Sequence, residues 1–317
     1  MKKKILFLSN YNKKGFTELE NDFEFVFPEG NYIKKERAIE ILKDFDVLVP
    51  GSRFRIDKKI IDSGKNLKLI ANHGVGYNNI DVDYAAKKGI IVTNTPNSVL
   101  EPTAELAFGL LITAARKISF YDRHLREKNG LSWKLYDNLG VDIYGKTLGI
   151  FGMGRIGQAI ARRAVAAGMS IIYHNTSPLE KQIEEKYNAK YVSFEELLSD
   201  SDFISLNAPA TTETFHIIAE NEFNKMKSSA IIINAARGTL IKEEDLIKAL
   251  SKRRIAGAGL DVFETEPCIN PKLLKLDNVV LSPHAGTRTI EARLAMVKEV
   301  ATNIKGFFAG DKISRVN

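Results

Sequence analysis

The sequence predicts an α/β protein of two domains, each with a parallel β-sheet covered by helices. The chain has 317 residues, about twice the common length of a domain. Short runs rich in Val, Ile, Leu and Phe alternate with helical runs in two separate series, and the second series opens with a glycine-rich turn. Such alternation is typical of parallel sheets, because each helix returns the chain to the start of the next strand.

The first series covers about the first hundred residues. Its predicted strands are 4–8, 23–27, 47–49, 69–71 and 90–92, and its predicted helices are 34–43, 58–63 and 82–88. The series ends at Pro96, because proline disfavours a helical conformation at Thr95.

A long helix is predicted next, over residues 102–117, since this segment begins with proline and is rich in Ala and Leu. Residues 119–143 follow with less regular patterning and hold the only tryptophan, Trp133. We interpret this stretch as an arm or connector.

The second series begins at Thr147. Its predicted strands are 148–151, 170–173, 203–206, 231–234, 258–261 and 279–281. Its predicted helices are 155–167, 179–187, 194–198, 243–251 and 271–276, with a final helix over 289–308.

Composition and charge exclude several classes of function. The net charge of +7 comes from 46 Lys and Arg against 39 Asp and Glu, and the two signs are interleaved, so a small anionic substrate is favoured and nucleic-acid binding is not. The longest apolar run, 106–115, is too short to span a bilayer. With a single cysteine, Cys268, and no predicted targeting segment, we expect a protein of the cytoplasm.

The glycine-rich turn indicates a dinucleotide site. Gly152, Gly154 and Gly157 have GxGxxG spacing between a predicted strand and a predicted helix. The first glycine permits a tight turn, the second lets the backbone approach a pyrophosphate, and the third lets the helix pack on the strand.

The end of the next strand leaves the choice of cofactor open. A protein specific for NAD usually has Asp or Glu there, to bind the ribose hydroxyls. This chain has Asn175, followed by Thr176 and Ser177. At this position no carboxylate repels the 2′-phosphate of NADP and no arginine binds it, so both NAD and NADP remain possible cofactors.

Three polar residues follow later strands: Arg237, Glu266 and His284. Each alone has an ordinary structural explanation, but together they suit the reduction of a 2-oxo acid. Arginine binds a carboxylate and a carbonyl oxygen with its fork of donors, histidine supplies a proton, and a carboxylate orients and stabilises the charged ring. The five histidines show no metal-ligand spacing, so no metal is expected.

Segments 152–157, 234–238, 259–267 and 282–284 resemble the D-isomer-specific 2-hydroxyacid dehydrogenases, a family that includes glyoxylate/hydroxypyruvate reductases and phosphoglycerate dehydrogenases. The resemblance implies a Rossmann nucleotide-binding domain, residues 99–287, inserted into a flavodoxin-like substrate domain formed by 1–98 and 288–317. It also implies a homodimer, through the 102–117 helix and the Trp133 arm, and reduction of a small 2-oxo acid with NAD or NADP.

The resemblance also implies the roles of site residues. Arg237 would bind substrate, His284 would be the acid/base, and Glu266 would support it, while the backbone of Gly74, Val75 and Gly76 would hold the substrate carboxylate. The cofactor positions implied are Gly152, Gly154, Arg155, Ile156, Gly157, Asn175, Thr176, Ala208, Ala235, Ala236, Asp261, Thr103 and Gly286.

Two alternative functions stay open. The first is a phosphoglycerate dehydrogenase-like enzyme. Members of that group have an arginine where this chain has Asn72, and its absence favours an unphosphorylated substrate, although Arg53 and Arg55 could reach a phosphate. A nucleotide-sensing corepressor shares the same fold. Turnover would distinguish it from an enzyme.

Overall fold

The structure, a computed structural model, describes residues 2–51, 54–127, 130 and 134–317. The chain forms two compact units. The first combines Met1–Val99 with Thr287–Asn317, and the second is Leu100–Gly286. The second unit is therefore inserted, in sequence, into the first.

The first unit contains a five-stranded parallel sheet. Its strands are β1 (Lys3–Phe7), β2 (Phe23–Val26), β3 (Val47–Val49), β4 (Leu69–Ala71) and β5 (Ile91–Thr93), with helices α1 (Lys35–Ile41), α2 (Lys58–Ser63) and α3 (Val82–Lys87). The strand order is β2-β1-β3-β4-β5, which is the flavodoxin-like order.

The second unit contains a seven-stranded parallel sheet. It begins with helices α4 (Leu100–Ala115) and α5 (Ile118–Arg126). Its strands are β6 (Thr147–Phe151), β7 (Ser170–His174), β8 (Ala189–Tyr191), β9 (Phe203–Leu206), β10 (Ile231–Asn234), β11 (Gly257–Leu260) and β12 (Val279–Leu281). The other helices are α6 (Arg155–Ala166), α7 (Lys181–Tyr187), α8 (Phe194–Asp200), α9 (Glu220–Lys225) and α10 (Glu243–Ser251).

The strand order of this sheet is β12-β11-β10-β9-β6-β7-β8. The direction of winding reverses between β6 and β9, as in a Rossmann fold. The predicted fold class, two doubly wound parallel sheets, is confirmed.

The last helix, α11 (Ile290–Ala309), belongs to the first unit. Val297, Val300 and Ile304 on this helix are buried in one apolar cluster with Ile5 and Phe7 of β1. The chain then runs beside β5. The Asn317 side chain accepts the N–H of Val92 at 2.8 Å and donates to the carbonyl of Ile90 at 2.9 Å.

Local predictions were wrong in four places. Part of the segment interpreted as an irregular arm is helix α5, which has nine residues and none of them buried, and is shorter than the window in which a helical period can be recognised. Strand β8 and helix α9 were missed, because they are three and six residues long. The helix predicted at 271–276 is only a 3₁₀ turn, Leu273–Lys275.

Among the described residues, no helix is both long and apolar enough to cross a membrane.

Candidate active site

The glycine-rich turn lies between β6 and α6. Gly152 has φ of +90°, and a Cβ there would lie 2.6 Å from the backbone nitrogen of Ala208, so only glycine fits. A Cβ at Gly157 would lie 2.6 Å from the carbonyl oxygen of Gly152. Gly154 caps α6, and a Cβ there would meet no atom within 4 Å. At Gly154, the N-terminus of α6 therefore leaves its backbone open to close approach, as a pyrophosphate at a helix N-terminus requires.

Asn175 follows β7 and holds this turn. Its side-chain oxygen accepts the N–H of Met153 at 2.7 Å, between the first two glycines. Its carbonyl accepts the Tyr191 hydroxyl at 3.2 Å. Thr176 and Ser177 beside it are exposed. An aspartate in place of Asn175 would still accept the Met153 bond, so the side chain at this position changes the local charge without losing the contact.

Arg237 lies in a turn after β10 that Asn234 fixes. The side-chain oxygen of Asn234 accepts the N–H of Ala236 at 3.1 Å, and its NH₂ donates to the carbonyl of Arg237 at 2.9 Å. Burial lowers the pKa of Arg237 and the negative charge of Glu266 opposes this shift. The guanidinium remains charged, and it lies within electrostatic reach of Glu266.

His284 and Glu266 form a hydrogen-bonded pair. Nδ1 of His284 lies 2.7 Å from one carboxylate oxygen of Glu266, and the other oxygen accepts the N–H of Phe263 at 3.1 Å. Partial burial tends to raise the pKa of Glu266, but the hydrogen bond and charge of His284, the Phe263 N–H and the Arg237 charge together lower it below its ordinary value. Glu266 is therefore a carboxylate at neutral pH.

The pairing determines which ring nitrogen of His284 can react. A carboxylate only accepts hydrogen bonds, so Nδ1 carries a proton, and Nε2 is the nitrogen left to exchange a proton with a substrate. The His284 side chain is 53% exposed, so Nε2 is accessible.

Asp261 holds the turn that presents His284. Its buried carboxylate accepts the N–H of Ala285 at 2.7 Å and of Gly286 at 2.9 Å, and its carbonyl accepts the N–H of His284 at 2.8 Å. These bonds stabilise His284 at φ of +53°, a left-handed conformation that costs a non-glycine residue energy. The sequence analysis placed Asp261 only at the cofactor, through the family resemblance, and did not predict that it holds the His284 turn.

Thr103 of α4 lies in the same neighbourhood. A Cβ on Gly286 would lie 3.4 Å from both the Thr103 hydroxyl and the Asp261 carboxylate. The structure therefore brings Thr103, Asp261 and Gly286 together near His284, and it places Ala208 beside Gly152 at the glycine-rich turn.

In the loop after β4 of the first unit, backbone carbonyl groups accept hydrogen bonds from two asparagine side chains. The Asn72 side chain donates to the carbonyls of Gly74 and Gly76 at 3.0 and 2.9 Å, and the Asn94 side chain donates to that of Val75 at 2.9 Å. In a trans peptide the N–H points away from the C=O. The N–H group of Val75 therefore points away from the Asn72 amide, and that of Gly76 points away from the Asn94 amide.

His73 beside this loop is not suited to donate a proton. Burial, helped by the charge of Arg293, lowers the pKa of His73 to about 4. Its ring lies 4.7 Å from that of Tyr11, centroid to centroid, and it is neutral at physiological pH.

The two arginines considered for a phosphate, the tryptophan and the cysteine are either exposed or outside the described residues. Arg55 is exposed, and Arg53 and Trp133 lie outside the described residues. Cys268 is exposed. The described part of the chain has no group of three or more His, Cys, Asp or Glu side chains placed to hold a metal ion.

The chain is similar to known proteins over nearly its whole length. The model of the family "D-isomer specific 2-hydroxyacid dehydrogenase, NAD binding domain" matches residues 108–286. A glyoxylate reductase from Pyrococcus horikoshii is 44% identical over 316 residues, which cover 98% of this chain and 94% of that protein.

Solved structures agree. A glyoxylate reductase from Paecilomyes thermophila has a TM-score of 0.89 at 37% identity, covering 99% of this chain and 98% of that one. An NADPH-dependent glyoxylate/hydroxypyruvate reductase from Sinorhizobium meliloti, in complex with NADP and malonate, has a TM-score of 0.87 at 31% identity, covering 100% and 97%. The chain therefore belongs to the D-isomer specific 2-hydroxyacid dehydrogenases, oxidoreductases that act on CH–OH groups with NAD or NADP.

Proposed function

We propose that this protein reduces glyoxylate or hydroxypyruvate to the D-hydroxy acid, with Arg237, Glu266 and His284 as its catalytic residues. The observation that carries the proposal is the 2.7 Å contact between His284 and Glu266, within reach of the Arg237 charge. These residues follow three neighbouring strands, β10, β11 and β12, at the sheet edge where ligands of doubly wound folds bind. The names of the similar proteins support the substrate.

Each side chain has a separate task. Arg237 offers parallel N–H donors to the substrate carboxylate and to the carbonyl oxygen. As negative charge develops on that oxygen, Nε2 of His284 donates a proton to it. The Glu266 carboxylate orients the ring and stabilises its protonated form until the transfer.

The cofactor would lie along the second unit. Its pyrophosphate would meet the N–H groups of Arg155 and Ile156, next to Gly154, and its nicotinamide end would meet the backbone of Ala235 and Ala236 and the neighbourhood of Asp261. When bound, the nicotinamide supplies the hydride. In the first unit, we assign the N–H groups of Val75 and Gly76 to a substrate carboxylate.

A panel assay tests the function. NADH and NADPH oxidation is followed with glyoxylate, hydroxypyruvate, pyruvate and 3-phosphohydroxypyruvate. We expect the highest kcat/KM with glyoxylate or hydroxypyruvate. Preference for the phosphorylated acid would indicate a phosphoglycerate dehydrogenase-like enzyme, and tight cofactor binding without turnover would indicate a corepressor-like protein.

Replacing Glu266 with glutamine should shift the pH dependence. Reduction needs the protonated His284–Glu266 pair, so its rate falls as pH rises. The hydrogen bond and charge of His284 help to lower the pKa of Glu266, so the two charged groups stabilise each other. Glu266→Gln removes this stabilisation and should move the alkaline limb to lower pH, and each pH unit of movement corresponds to about 1.4 kcal/mol of lost interaction. Oxidation of the hydroxy acid, which needs the neutral ring, should then reach its maximum at lower pH. Unchanged profiles in both directions would show that the two residues are not coupled.

Asn175 is expected to permit NADPH. An Asn175→Asp variant keeps the acceptor for Met153 but adds a negative charge where a 2′-phosphate would lie, at a cost of a few kcal/mol at intermediate dielectric. The KM for NADPH should rise about 10-fold or more while that for NADH changes little. Asn221→Asp, at an exposed position of helix α9, makes the same charge change elsewhere. If both variants behave alike, Asn175 does not face the ribose.

The protein is proposed to be a homodimer that associates through its second unit. One side of helix α4 is buried within that unit, and α5 and the segment after it expose large apolar side chains. Leu135 and Tyr136 are 78% and 80% exposed. Sedimentation at micromolar concentration should give twice 35.4 kDa, and L135D/Y136D should be monomeric. A monomeric wild type would contradict the proposal.

A cytoplasmic location is also proposed. Its support is the single cysteine, Cys268, which lies exposed as a free thiol and suits a reducing compartment. Fractionation of cells that produce the protein tests it.

A further inference from the structure

His216 contacts both turns that carry the proposed catalytic residues. Its backbone N–H donates to the carbonyl of Thr239 at 2.8 Å, two residues after Arg237. Its ring Nε2 lies 2.7 Å from one carboxylate oxygen of Glu264, two residues before Glu266. Because a carboxylate only accepts, Nε2 carries the proton in this contact.

Glu264 is held from a second side. Its other carboxylate oxygen accepts the N–H of Glu243, at the start of α10, at 3.0 Å, and the Glu243 carboxylate accepts the N–H of Glu264 at 3.3 Å. Burial, with the negative charge of Glu264 adding to it, raises the pKa of Glu243. The side chains of His216 and Glu264 are 23% and 30% exposed, so water competes only partly for their contact.

The two turns also pack directly against each other. Gly238 follows Arg237, and a Cβ at this glycine would collide with the backbone carbonyl of Phe263. His216 itself has φ of +53°, a conformation that a non-glycine residue keeps only where its surroundings require it. A shift of the Glu264 turn therefore moves the Arg237 turn as well.

We propose that His216 and Glu264 are positioning residues that set the separation between the Arg237 guanidinium and the Glu266–His284 pair. The inference rests on the proposed function, in which Arg237 and His284 act on the same small carbonyl group. Because both side chains must reach one small carbonyl group, their positions relative to it matter. A side chain misplaced by 1 Å can reduce the rate about 100-fold. Neither His216 nor Glu264 touches the substrate in this assignment.

The test compares His216→Leu with His216→Gln. Both replacements meet the same backbone requirement at this position, but the glutamine amide can donate to Glu264 and leucine cannot. We expect kcat per cofactor-binding site to fall about 10- to 100-fold in His216→Leu, with cofactor affinity unchanged, and to be largely restored in His216→Gln. His124→Leu, on helix α5, removes a histidine whose Nδ1 lies 2.8 Å from the carbonyl oxygen of Phe120 in the same helix, and its kcat per cofactor-binding site should match the wild type.

Equal losses in the leucine and glutamine variants, or a wild-type kcat in His216→Leu, would overturn the proposal. A purely structural role would lower the Tm without changing kcat per folded molecule, so Tm is measured alongside.

Amide hydrogen exchange gives a readout independent of turnover. In His216→Leu, exchange at the N–H groups of Phe263 and Glu243 should accelerate about 10-fold or more, since local opening governs it, while the N–H of Gln158 in α6 stays protected. Unchanged exchange would overturn the positioning role. If the wild type reduces no 2-oxo acid, the proposed function fails, and this exchange comparison still decides whether His216 holds the turns.

Discussion

Replacing His284 with alanine is expected to reduce the turnover of 2-oxo acids by about 10²- to 10⁴-fold, the contribution typical of general acid catalysis. The variant loses the only group we assign to proton donation, because His73 is neutral at physiological pH. The glycine-rich turn does not depend on His284, so the Kd for NADPH or NADH should stay within about twofold. Single-turnover kinetics and fluorescence titration of the cofactor measure the two quantities.

His124→Ala serves as the matched control for this loss, because it removes a histidine ring to which the proposed function gives no role in catalysis. Full activity of the His284→Ala enzyme would remove the mechanism altogether, and loss of cofactor affinity would show that the change is structural.

Replacing Arg237 with alanine should affect both kcat and KM. Two hydrogen bonds to a charged partner are worth about 1.5–3 kcal/mol each, so kcat/KM for glyoxylate should fall about 10²- to 10⁴-fold. The losses are expected in substrate affinity as well as rate, because the same guanidinium holds the carboxylate and the developing oxyanion. Steady-state kinetics separates these two effects.

Arg237→Lys keeps the positive charge but not the planar fork, so it should fall between the wild type and Arg237→Ala. If Arg237→Lys behaves as the wild type, the geometry of the fork is unimportant. If Arg237→Ala changes neither kcat nor KM, Arg237 does not bind the substrate.

The elements with strong local signals were predictable from the sequence. β10 is a run of buried isoleucines before Asn234, and it begins and ends where its composition predicts. The spacing of Gly152, Gly154 and Gly157 predicted a tight turn. In the structure, a Cβ at Gly152 or Gly157 would come too close to backbone atoms. Helix α5 and the 3₁₀ turn at Leu273–Lys275 were not predictable, because nine and three residues are too few for a clear periodic pattern.

The contacts that fix the site were beyond sequence reasoning for a related reason. Asp261 binds N–H groups 24 and 25 residues further on, and Glu264 binds a histidine 48 residues earlier. No residue spacing encodes such pairs, since they depend on which strands of the sheet become neighbours. The roles of Arg237, Glu266 and His284 were reached through their chemistry and the family resemblance instead.

The contribution of α11 to the first unit has a consequence for the order of events on the ribosome. The apolar cluster around Ile5 and Phe7 also needs Val297, Val300 and Ile304, so it stays incomplete while the whole second unit is synthesised. The second unit is contiguous in sequence and can fold as soon as it emerges. Nascent chains that lack residues 290–317 should therefore hold a folded nucleotide unit next to an exposed, aggregation-prone sheet, which is the state that chaperones would have to protect.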